Sequence, residues 1–268
     1  MLAQKTTEFE GIPLAYWEGG SGSPLLLLHG SGPGASTQGN WRLILEPLSQ
    51  HFHVIAVDLI GFGLSGRKPA PPYFDFELWV RQAAHMLEFF QAPQIDVLGH
   101  SLSGAIALKL ASVDTRIRKV VTTGTMGTAM EQNPALDIVW TFPETTDDLV
   151  TAGHTLVYDD ALIDDAYIEG RKKVLYDGAY KTYFSSMFQG DKQQYVRAST
   201  LSDEDLAALS HEILLIHGRD DKPIPASTSS ELAEKLENAD LVILSKCNHS
   251  VALEHPKKLI GLMKAFLQ

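Results

Sequence analysis

Six short runs of consecutive apolar residues recur along the chain, each bounded by polar or turn-forming residues. Such runs are apolar at nearly every position rather than at every second one, which is typical of strands covered on both faces in a parallel sheet. We therefore predict six strands of a mostly parallel sheet. The runs begin at Pro24, Phe52, Ile95, Arg118, Glu212 and Ala239.

Helical patterns lie between these runs. They predict helices over 40–50, 76–91 and 102–112, followed by helices in "SSELAEKLEN" and in "PKKLIGLMKAFLQ", where Pro256 suits the first helical position. The opening "TTEFEGIPLAYWEGG" is typical of an antiparallel hairpin that turns at Glu10-Gly11. Alternating strands and helices predict an α/β fold with a mostly parallel, twisted sheet flanked by helices.

The stretch from Gly124 to about Ser202 interrupts this alternation. It contains no strand-like run that ends in glycine, favours helix, and is rich in tyrosine, phenylalanine and methionine. We predict a helical cap over 125–202, inserted between two core segments, 1–124 and 203–268. Ligands of open α/β sheets bind at the carboxyl ends of the strands, so such a cap would cover the binding site.

Composition narrows the class of protein. The 268 residues are 44% hydrophobic and carry a net charge of -11, whereas nucleic-acid and anionic-membrane surfaces need clustered Lys and Arg. Cys247 is the single cysteine, so an intrachain disulfide is excluded and a reducing compartment fits. The N-terminus lacks the apolar segment of a signal peptide. We expect a cytoplasmic protein that acts on a small molecule, without nucleic-acid or membrane partners.

The stretch "GHSLSG" at 99–104 joins a strand-like run to a helix-like run and contains two candidate nucleophiles. At a strand-to-helix elbow, the residues two before and two after the nucleophile must be small so that the strand and the helix can approach each other. Ser101 has Gly99 and Ser103 at those positions, while a nucleophile at Ser103 would move the turn into the helix. We predict Ser101 as the nucleophile and Ser103 as a small residue beneath the elbow.

A serine nucleophile needs a base and an acid that orients the base. In this kind of fold they follow in the order Ser, acid, His, each at the carboxyl end of a strand. "HGRDDKPIP" offers Asp221, with Asp220 as the alternative. "SKCNHSVALEHP" offers His249, with His255 six residues later in the next predicted helix.

Backbone N–H groups that stabilise developing negative charge complete such a site. Leu102, directly after the nucleophile, and Ser31, in the glycine-rich "HGSGPG" at 29–34, are the expected donors. A phosphate-binding loop is disfavoured there, because neither the P-loop lysine nor the G-x-G-x-x-G spacing is present. His51 and His53 alternate along a strand with no third ligand nearby in sequence, so we predict no metal site.

Over nearly its whole length the sequence resembles the α/β-hydrolase superfamily. Within it, the sequence is similar to the meta-cleavage product hydrolases, which cut a carbon–carbon bond in vinylogous 1,5-diketones formed by ring cleavage of aromatics. The segments that carry the resemblance are "LLLLHGSGPGA", "GNWR", "VIAVDLIGFGLS", "GHSLSG", "LDIVW", "HGRDDKPIP" and "CNHSVALEHP".

The resemblance implies roles for individual positions. Ser101, Asp221 and His249 match the family triad, and Ser31 and Leu102 match its oxyanion donors. Asn40 matches an asparagine that faces the carbonyl end of the substrate, and Arg171 matches an arginine that binds the dienoate carboxylate. The alternative for Arg171 is a surface arginine beside Lys172 and Lys173.

Three positions depart from the family pattern. His100 stands where asparagine is usual, Ser103 where glycine is usual, and Ser250 where a tryptophan packs over the substrate. We expect His100 and Ser250 to line the substrate pocket, and these departures bear on the substrate rather than on the triad.

Three functions are compatible with these residues. The first is hydrolysis of a C–C bond in a 2-hydroxy-6-oxo-dienoate, with Ser101 either attacking the substrate or activating water. The second is a carboxylesterase or other acyl hydrolase with the same triad. The third is a ligand-binding protein that keeps the fold without turnover. None of them requires a cofactor or a metal, and a homodimer is implied by the resemblance alone.

Overall fold

The computed structural model describes residues 2–268 and contains one eight-stranded sheet with helices on both faces. The strands are β1 (Ala3–Phe9), β2 (Ile12–Gly19), β3 (Ser23–Leu28), β4 (Phe52–Val57), β5 (Ile95–His100), β6 (Ile117–Thr123), β7 (Glu212–Gly218) and β8 (Ala239–Leu244). The helices before β7 are α1 (Thr37–Trp41), α2 (Leu45–Ser49), α3 (Phe76–Met86), α4 (Leu102–Val113), α5 (Pro134–Val139), α6 (Thr146–Leu156), α7 (Asp165–Leu175), α8 (Tyr180–Met187), α9 (Gln193–Ala198) and α10 (Asp203–Ala207). After β7 come α11 (Ser227–Lys235), α12 (Val251–Glu254) and α13 (Pro256–Leu267).

The strand order is β1-β2-β4-β3-β5-β6-β7-β8, and it confirms the predicted sheet. Strands β3 to β8 pair in parallel, while β1 and β2 form the predicted antiparallel hairpin around Glu10-Gly11, and β2 pairs antiparallel with β4. The central strands are buried on both faces, as their apolar runs require. Strand β8 lies at an edge, so its residues are more exposed than the pattern suggested.

Two predicted helices have different bounds in the structure. The helix expected over 40–50 is divided into α1 and α2 by a turn at 42–44. Pro47 has no N–H to donate to the carbonyl of Leu43, so one helix cannot run through this segment. The helix expected to reach residue 91 ends at Met86 and continues as a 3-10 turn to Phe89. Phe90 is extended there and packs its ring 5.1 Å from that of His53.

The segment between β6 and β7 is helical, without a strand. The Asn133 side chain caps α5, and Thr145 and Asp148 form a capping box at the start of α6, which fixes where these helices begin. Helices α5 to α9 fall within the predicted cap. Helix α10 packs on the core helix α4, where Lys109 Nζ and Asp205 Oδ1 are 2.6 Å apart. Among residues 2–268 no helix has the length and apolar character needed to span a membrane.

Candidate active site

Ser101 lies at a sharp turn between β5 and α4. Its backbone has φ 61° and ψ -125°, a region that residues with side chains rarely adopt and that is held here by the surrounding structure. A Cβ on Gly99 would lie 2.1 Å from the carbonyl oxygen of Ser103, and one on Gly104 would lie 2.0 Å from Thr125 Oγ1. The two glycines therefore permit the close strand-to-helix approach on which the elbow depends.

The two serines of "GHSLSG" have different surroundings. Ser103 is fully buried, and its hydroxyl donates a hydrogen bond to the carbonyl of His29, at the end of the neighbouring strand β3. The Ser101 hydroxyl instead lies 2.9 Å from His249 Nε2. Only the Ser101 hydroxyl thus has a base within reach, while Ser103 ties the elbow to the "HGSGPG" loop.

Asp221, His249 and Ser101 form one hydrogen-bonded chain. The Nδ1–H of His249 donates to Asp221 Oδ2 at 2.8 Å, because a carboxylate oxygen can only accept. That fixes the neutral tautomer in which Nε2 carries a lone pair and accepts from the Ser101 hydroxyl. Asp221 follows β7 and His249 follows β8, so three strand ends supply the three groups.

The alternative acid and base do not reach Ser101. Asp220 is partly exposed and lies beside Arg219, at 3.9 Å. His255 hydrogen-bonds the carbonyl of Lys246 in a more exposed position between α12 and α13.

Asp221 has a second histidine partner that sequence reasoning missed. His217 Nε2 lies 3.2 Å from Asp221 Oδ2 and 2.9 Å from the carbonyl of Ile224, two acceptors that require a proton on that nitrogen. The other carboxylate oxygen, Oδ1, accepts from the backbone N–H of Ile224 at 2.9 Å. Burial favours a higher pKa for Asp221, but its electrostatic interaction with His249 and the hydrogen bonds from His217 and His249 outweigh it and lower the pKa to about 2. Asp221 is therefore ionised. No local pattern pointed to this contact, because His217 lies in β7 and Asp221 lies in the loop that follows it.

The expected oxyanion donors lie next to Ser101. Leu102 is the first residue of α4, and N–H groups in a first helical turn have no intrahelical acceptor. On the other side is the "HGSGPG" loop, where a Cβ on Gly30 would lie 3.1 Å from Ser101 Cβ. Ser31 is buried in that loop, and its hydroxyl accepts from the indole N–H of Trp140 at 3.0 Å. Trp140, just after α5, thereby connects the helical segment between β6 and β7 to this loop.

His100 is buried beside His249. Its ring centroid lies 4.6 Å from that of His249, and its Nδ1 lies 3.0 Å from the carbonyl oxygen of Thr123. A carbonyl can only accept, so Nδ1 carries the proton and Nε2 is left as an acceptor. Burial first, and then the neighbouring His249, hold the pKa of His100 well below its ordinary value. His100 is therefore a neutral ring.

The four residues expected to contact substrate line one small cavity. Asn40, His100, Arg171 and Ser250 all face it, with Tyr167 and Leu253 among their neighbours. Arg171 is 8% exposed, donates to the carbonyl of Pro33, and leaves Nε without a hydrogen-bond partner among residues 2–268. Asn40 Oδ1 is likewise buried without a partner within that range. Buried polar atoms of this kind are available to a ligand.

Asn248 connects the loop that carries His249 to the loop that carries Asp221 and to the end of helix α6. Its Oδ1 accepts from the N–H of Lys222 at 2.9 Å, beside Asp221, and its Nδ2 donates to the carbonyls of Thr155 and Val157 at 3.0 and 2.9 Å. The N–H of Ser250 also donates to the carbonyl of Leu156. The end of α6 is thus hydrogen-bonded to the loop that carries His249. Nothing in the sequence pattern singled out Asn248.

No group of three or more His, Cys, Asp or Glu side chains that could hold a metal ion occurs within residues 2–268. The arrangement can therefore activate the Ser101 hydroxyl through His249, next to backbone N–H groups that have no acceptor within their helix.

A family model, similar curated sequences and similar solved structures all indicate the same family. Residues 25–262 match the model of the "Alpha/beta hydrolase family". The 2-hydroxy-6-oxo-2,4-heptadienoate hydrolase of Pseudomonas putida is 34% identical over 96% of this chain and 93% of its own length, and a 2-hydroxymuconate semialdehyde hydrolase of Pseudomonas sp. is 33% identical over 96% and 91%. Among solved structures, the meta-cleavage product hydrolase from Pseudomonas fluorescens IP01 is 30% identical, with a TM-score of 0.93 over 98% of this chain and 97% of that one.

Proposed function

The chain belongs to the alpha/beta hydrolase family, and from that premise we propose that it hydrolyses a C–C bond in a 2-hydroxy-6-oxo-dienoate, the vinylogous 1,5-diketone formed by meta-cleavage of an aromatic ring. The observation that carries the proposal is the 34% identity, over 96% of the chain, to a relative named for this substrate class. The hydrogen-bonded chain of Ser101, His249 and Asp221 supplies the chemistry that such a reaction needs.

In this proposal Ser101 is the nucleophile. Its proton passes to the Nε2 lone pair of His249, 2.9 Å away, while ionised Asp221 stabilises the imidazolium that forms. The N–H groups of Leu102 and Ser31 donate to the oxyanion of the tetrahedral intermediate.

Two proton transfers frame the bond cleavage. The dienol first becomes a ketone: its 2-hydroxyl loses a proton, and the carbon at one end of the bond to be broken gains one, which creates an electron sink. Ser101 then adds to the remaining ketone, and collapse of the oxyanion breaks the C–C bond, with the electron pair entering the conjugated ketone. The resulting 2-hydroxydienoate takes a proton and leaves, and water releases the acid from Ser101 with His249 as the base.

The side chains around the small cavity, which measures about 10 Å³ and is not lined by Ser101, supply the polar groups for the substrate-binding part of the proposal. Arg171 offers a planar fork of donors for the dienoate carboxylate, and Asn40 faces the same cavity with an unpartnered amide oxygen. His100 and Ser250 complete that wall, and the helical segment 125–202 serves as the cap domain between the core segments 1–124 and 203–268. The reaction needs neither metal nor organic cofactor.

The test compares two substrate classes with one enzyme. Yellow ring-cleavage products and p-nitrophenyl esters are offered to the wild type, and kcat/KM is measured for each spectrophotometrically. A kcat/KM higher for the ring-cleavage product by at least two orders of magnitude supports C–C hydrolysis. Ser101→Ala controls for uncatalysed decay. A preference for the ester would overturn the proposal.

The alternative function is a carboxylesterase that uses the same triad through an acyl-enzyme. The observation that favours it is the neutral, buried ring of His100 beside His249, in the place of the asparagine expected of a dienoate site. The same two-substrate comparison decides between the two functions. A ligand-binding role without turnover would show no hydrolysis of either class.

We also propose that the protein works in the cytoplasm as a homodimer and has no nucleic-acid partner. The single cysteine, Cys247, is free and buried, as suits a reducing compartment, and the net charge of -11 disfavours nucleic acid. Strand β8 has an open edge, and its Ile243 is 40% exposed, so a second copy could pair there. Light scattering that gives the mass of one chain would overturn the dimer.

A further inference from the structure

Two hydrogen bonds hold the imidazole of His249 within its own plane. Asp221 Oδ2 lies 2.8 Å from Nδ1, and the Ser101 hydroxyl lies 2.9 Å from Nε2. Both bonds lie near the plane of the ring, so they do little to resist a tilt of the ring about the line that joins its two partners. Such a tilt would turn the Nε2 lone pair away from the Ser101 hydroxyl and weaken the bond. Packing against the ring has to supply the remaining restraint.

The ring of His100 packs against that of His249. The two ring centroids are 4.6 Å apart, and the ring planes are inclined at 44°. The backbone of Gly124 also approaches His249, since a Cβ on Gly124 would lie 2.9 Å from Nδ1 and 3.2 Å from Cε1. The His249 imidazole therefore contacts His100 and the Gly124 backbone in addition to its two hydrogen-bond partners.

His100 is itself fixed in place. It is the last residue of β5 and is paired in register with Thr123, the last residue of β6. Its Nδ1 lies 3.0 Å from both the carbonyl oxygen and the hydroxyl oxygen of Thr123. A Cβ on Gly30 would lie 3.0 Å from His100 Cδ2, and the ring of Trp41 meets the His100 ring edge-on, with the centroids 6.0 Å apart. The His100 ring is thus held between the "HGSGPG" loop and His249.

The charge of His100 also suits this contact. Burial first, and then the neighbouring His249, hold the pKa of His100 well below its ordinary value, so the ring is neutral. When His249 takes the proton of Ser101 it becomes an imidazolium, and a second positive charge 4.6 Å away would oppose that step. A neutral ring supports His249 without that repulsion.

We propose that His100 is a positioning residue of the active site, whose ring packs against the imidazole of His249 and keeps Nε2 directed at the Ser101 hydroxyl. This role differs from a contact with substrate, because it acts through His249 and requires a ring rather than a hydrogen-bonding group. It rests on the proposed function only in taking His249 as the catalytic base, so it applies to C–C hydrolysis and to ester hydrolysis alike.

The first test separates kcat from KM, with the substrate class that the wild type hydrolyses. His100→Asn and His100→Ala remove the ring. His100→Phe keeps a ring, and the Thr123 carbonyl still accepts from the N–H of Ser101 at 2.9 Å. We expect the first two variants to lower kcat roughly tenfold and to leave KM within about twofold, and His100→Phe to restore most of the lost kcat.

His53→Asn is the matched control. The ring of His53 also packs against an aromatic ring, that of Phe90 with centroids 5.1 Å apart, but His53 lies in β4 and pairs with Glu18. We expect this variant to keep the kcat of the wild type.

The second measurement needs no substrate. Proton NMR of the resting enzyme observes the Nδ1–H of His249, which its hydrogen bond to Asp221 protects from exchange with water. We expect the resonance to broaden by faster exchange in His100→Asn and His100→Ala, and to stay as sharp as in the wild type in His100→Phe and His53→Asn.

Several outcomes would overturn the positioning role. They are a raised KM with unchanged kcat in His100→Asn, an equal loss of kcat in His53→Asn, a folded His100→Phe as slow as His100→Ala, and an unaltered His249 resonance in His100→Asn. If His100→Phe does not fold, the resonance in His100→Asn decides by itself. A wild type that hydrolyses neither substrate class overturns the proposed function, while the resonance still tests whether His100 holds His249.

Discussion

Asn248 is the residue whose replacement most directly tests the connection between helix α6 and the loop that carries His249. It is fully buried, and its amide makes three hydrogen bonds to backbone groups of two other segments. Asn248→Ala removes all three and leaves an N–H of Lys222 and the carbonyls of Thr155 and Val157 without a partner. We expect this substitution to loosen the end of α6 and to move His249 with it.

The magnitude follows from those three groups. Each buried polar group left unsatisfied costs about 1–3 kcal/mol, so with partial entry of water the sum is about 3–5 kcal/mol. That is a large part of the ~5–15 kcal/mol by which a domain is usually stable. Displacing His249 from Ser101 by a fraction of an ångström to an ångström should lower kcat about tenfold to a hundredfold.

Urea unfolding measures the stability, with the loss expected in the midpoint and the m-value unchanged. Hydrogen exchange at 154–158 reports whether the end of α6 has been released. Asn238→Ala is the matched control, since Asn238 is exposed and its Nδ2 makes a single bond to the carbonyl of Ser210. Substitutions at exposed sites usually change the free energy of unfolding by no more than about 0.5 kcal/mol. If Asn248→Ala and Asn238→Ala differ in that free energy by no more than this amount, the reasoning is refuted. An unchanged kcat would also refute it.

Three further predictions concern the same site. Ser101→Ala should lower kcat by several orders of magnitude in steady-state assays, whereas Ser103→Ala should keep most activity and lose about 1–2 kcal/mol in urea unfolding; the reverse pattern would refute the assignment of the nucleophile. His217→Leu removes a donor from Asp221 and should raise its pKa from about 2 towards 3.8. Stabilisation by the ionised carboxylate is complete above pH 3.8 and is lost as pH falls through the folded pKa, so the acid limb of the free energy of unfolding should move to higher pH in urea unfolding measured from pH 2 to 5, and His217→Gln should restore it in part. Arg171→Gln should reduce kcat/KM for carboxylate-bearing dienoates far more than for neutral esters; equal loss on both would remove its proposed role.

The sheet could be predicted from sequence because its signal is local. Continuous apolar runs and the glycines at their ends determine where β3 to β8 form, and all six were found at the predicted places. The predicted ends of helices were less accurate where contacts with a distant part of the chain determine where the helix stops. Phe90 leaves its helix to pack on His53, which is 37 positions earlier in the chain and unrelated to the local pattern.

The residues of the candidate site also fall into those that the sequence predicted and those that it did not. Order along the chain and position at strand ends were enough to select Ser101, Asp221 and His249 as candidates, and the structure brings those three side chains within hydrogen-bonding distance. His217 was missed because its contact with Asp221 depends on how the loop after β7 folds back.

What the sequence by itself determined was the class of the fold, the elbow, and the residue types available for the chemistry, because each depends on neighbours a few positions apart. The tertiary structure alone decided which atoms meet. It placed the Ser103 hydroxyl on the carbonyl of His29, 74 residues away, and set the ring of His100 against that of His249. It also made Asn248 the tie between three segments. Contacts between distant segments depend on packing and on the pairing of buried polar groups, and no local pattern records them.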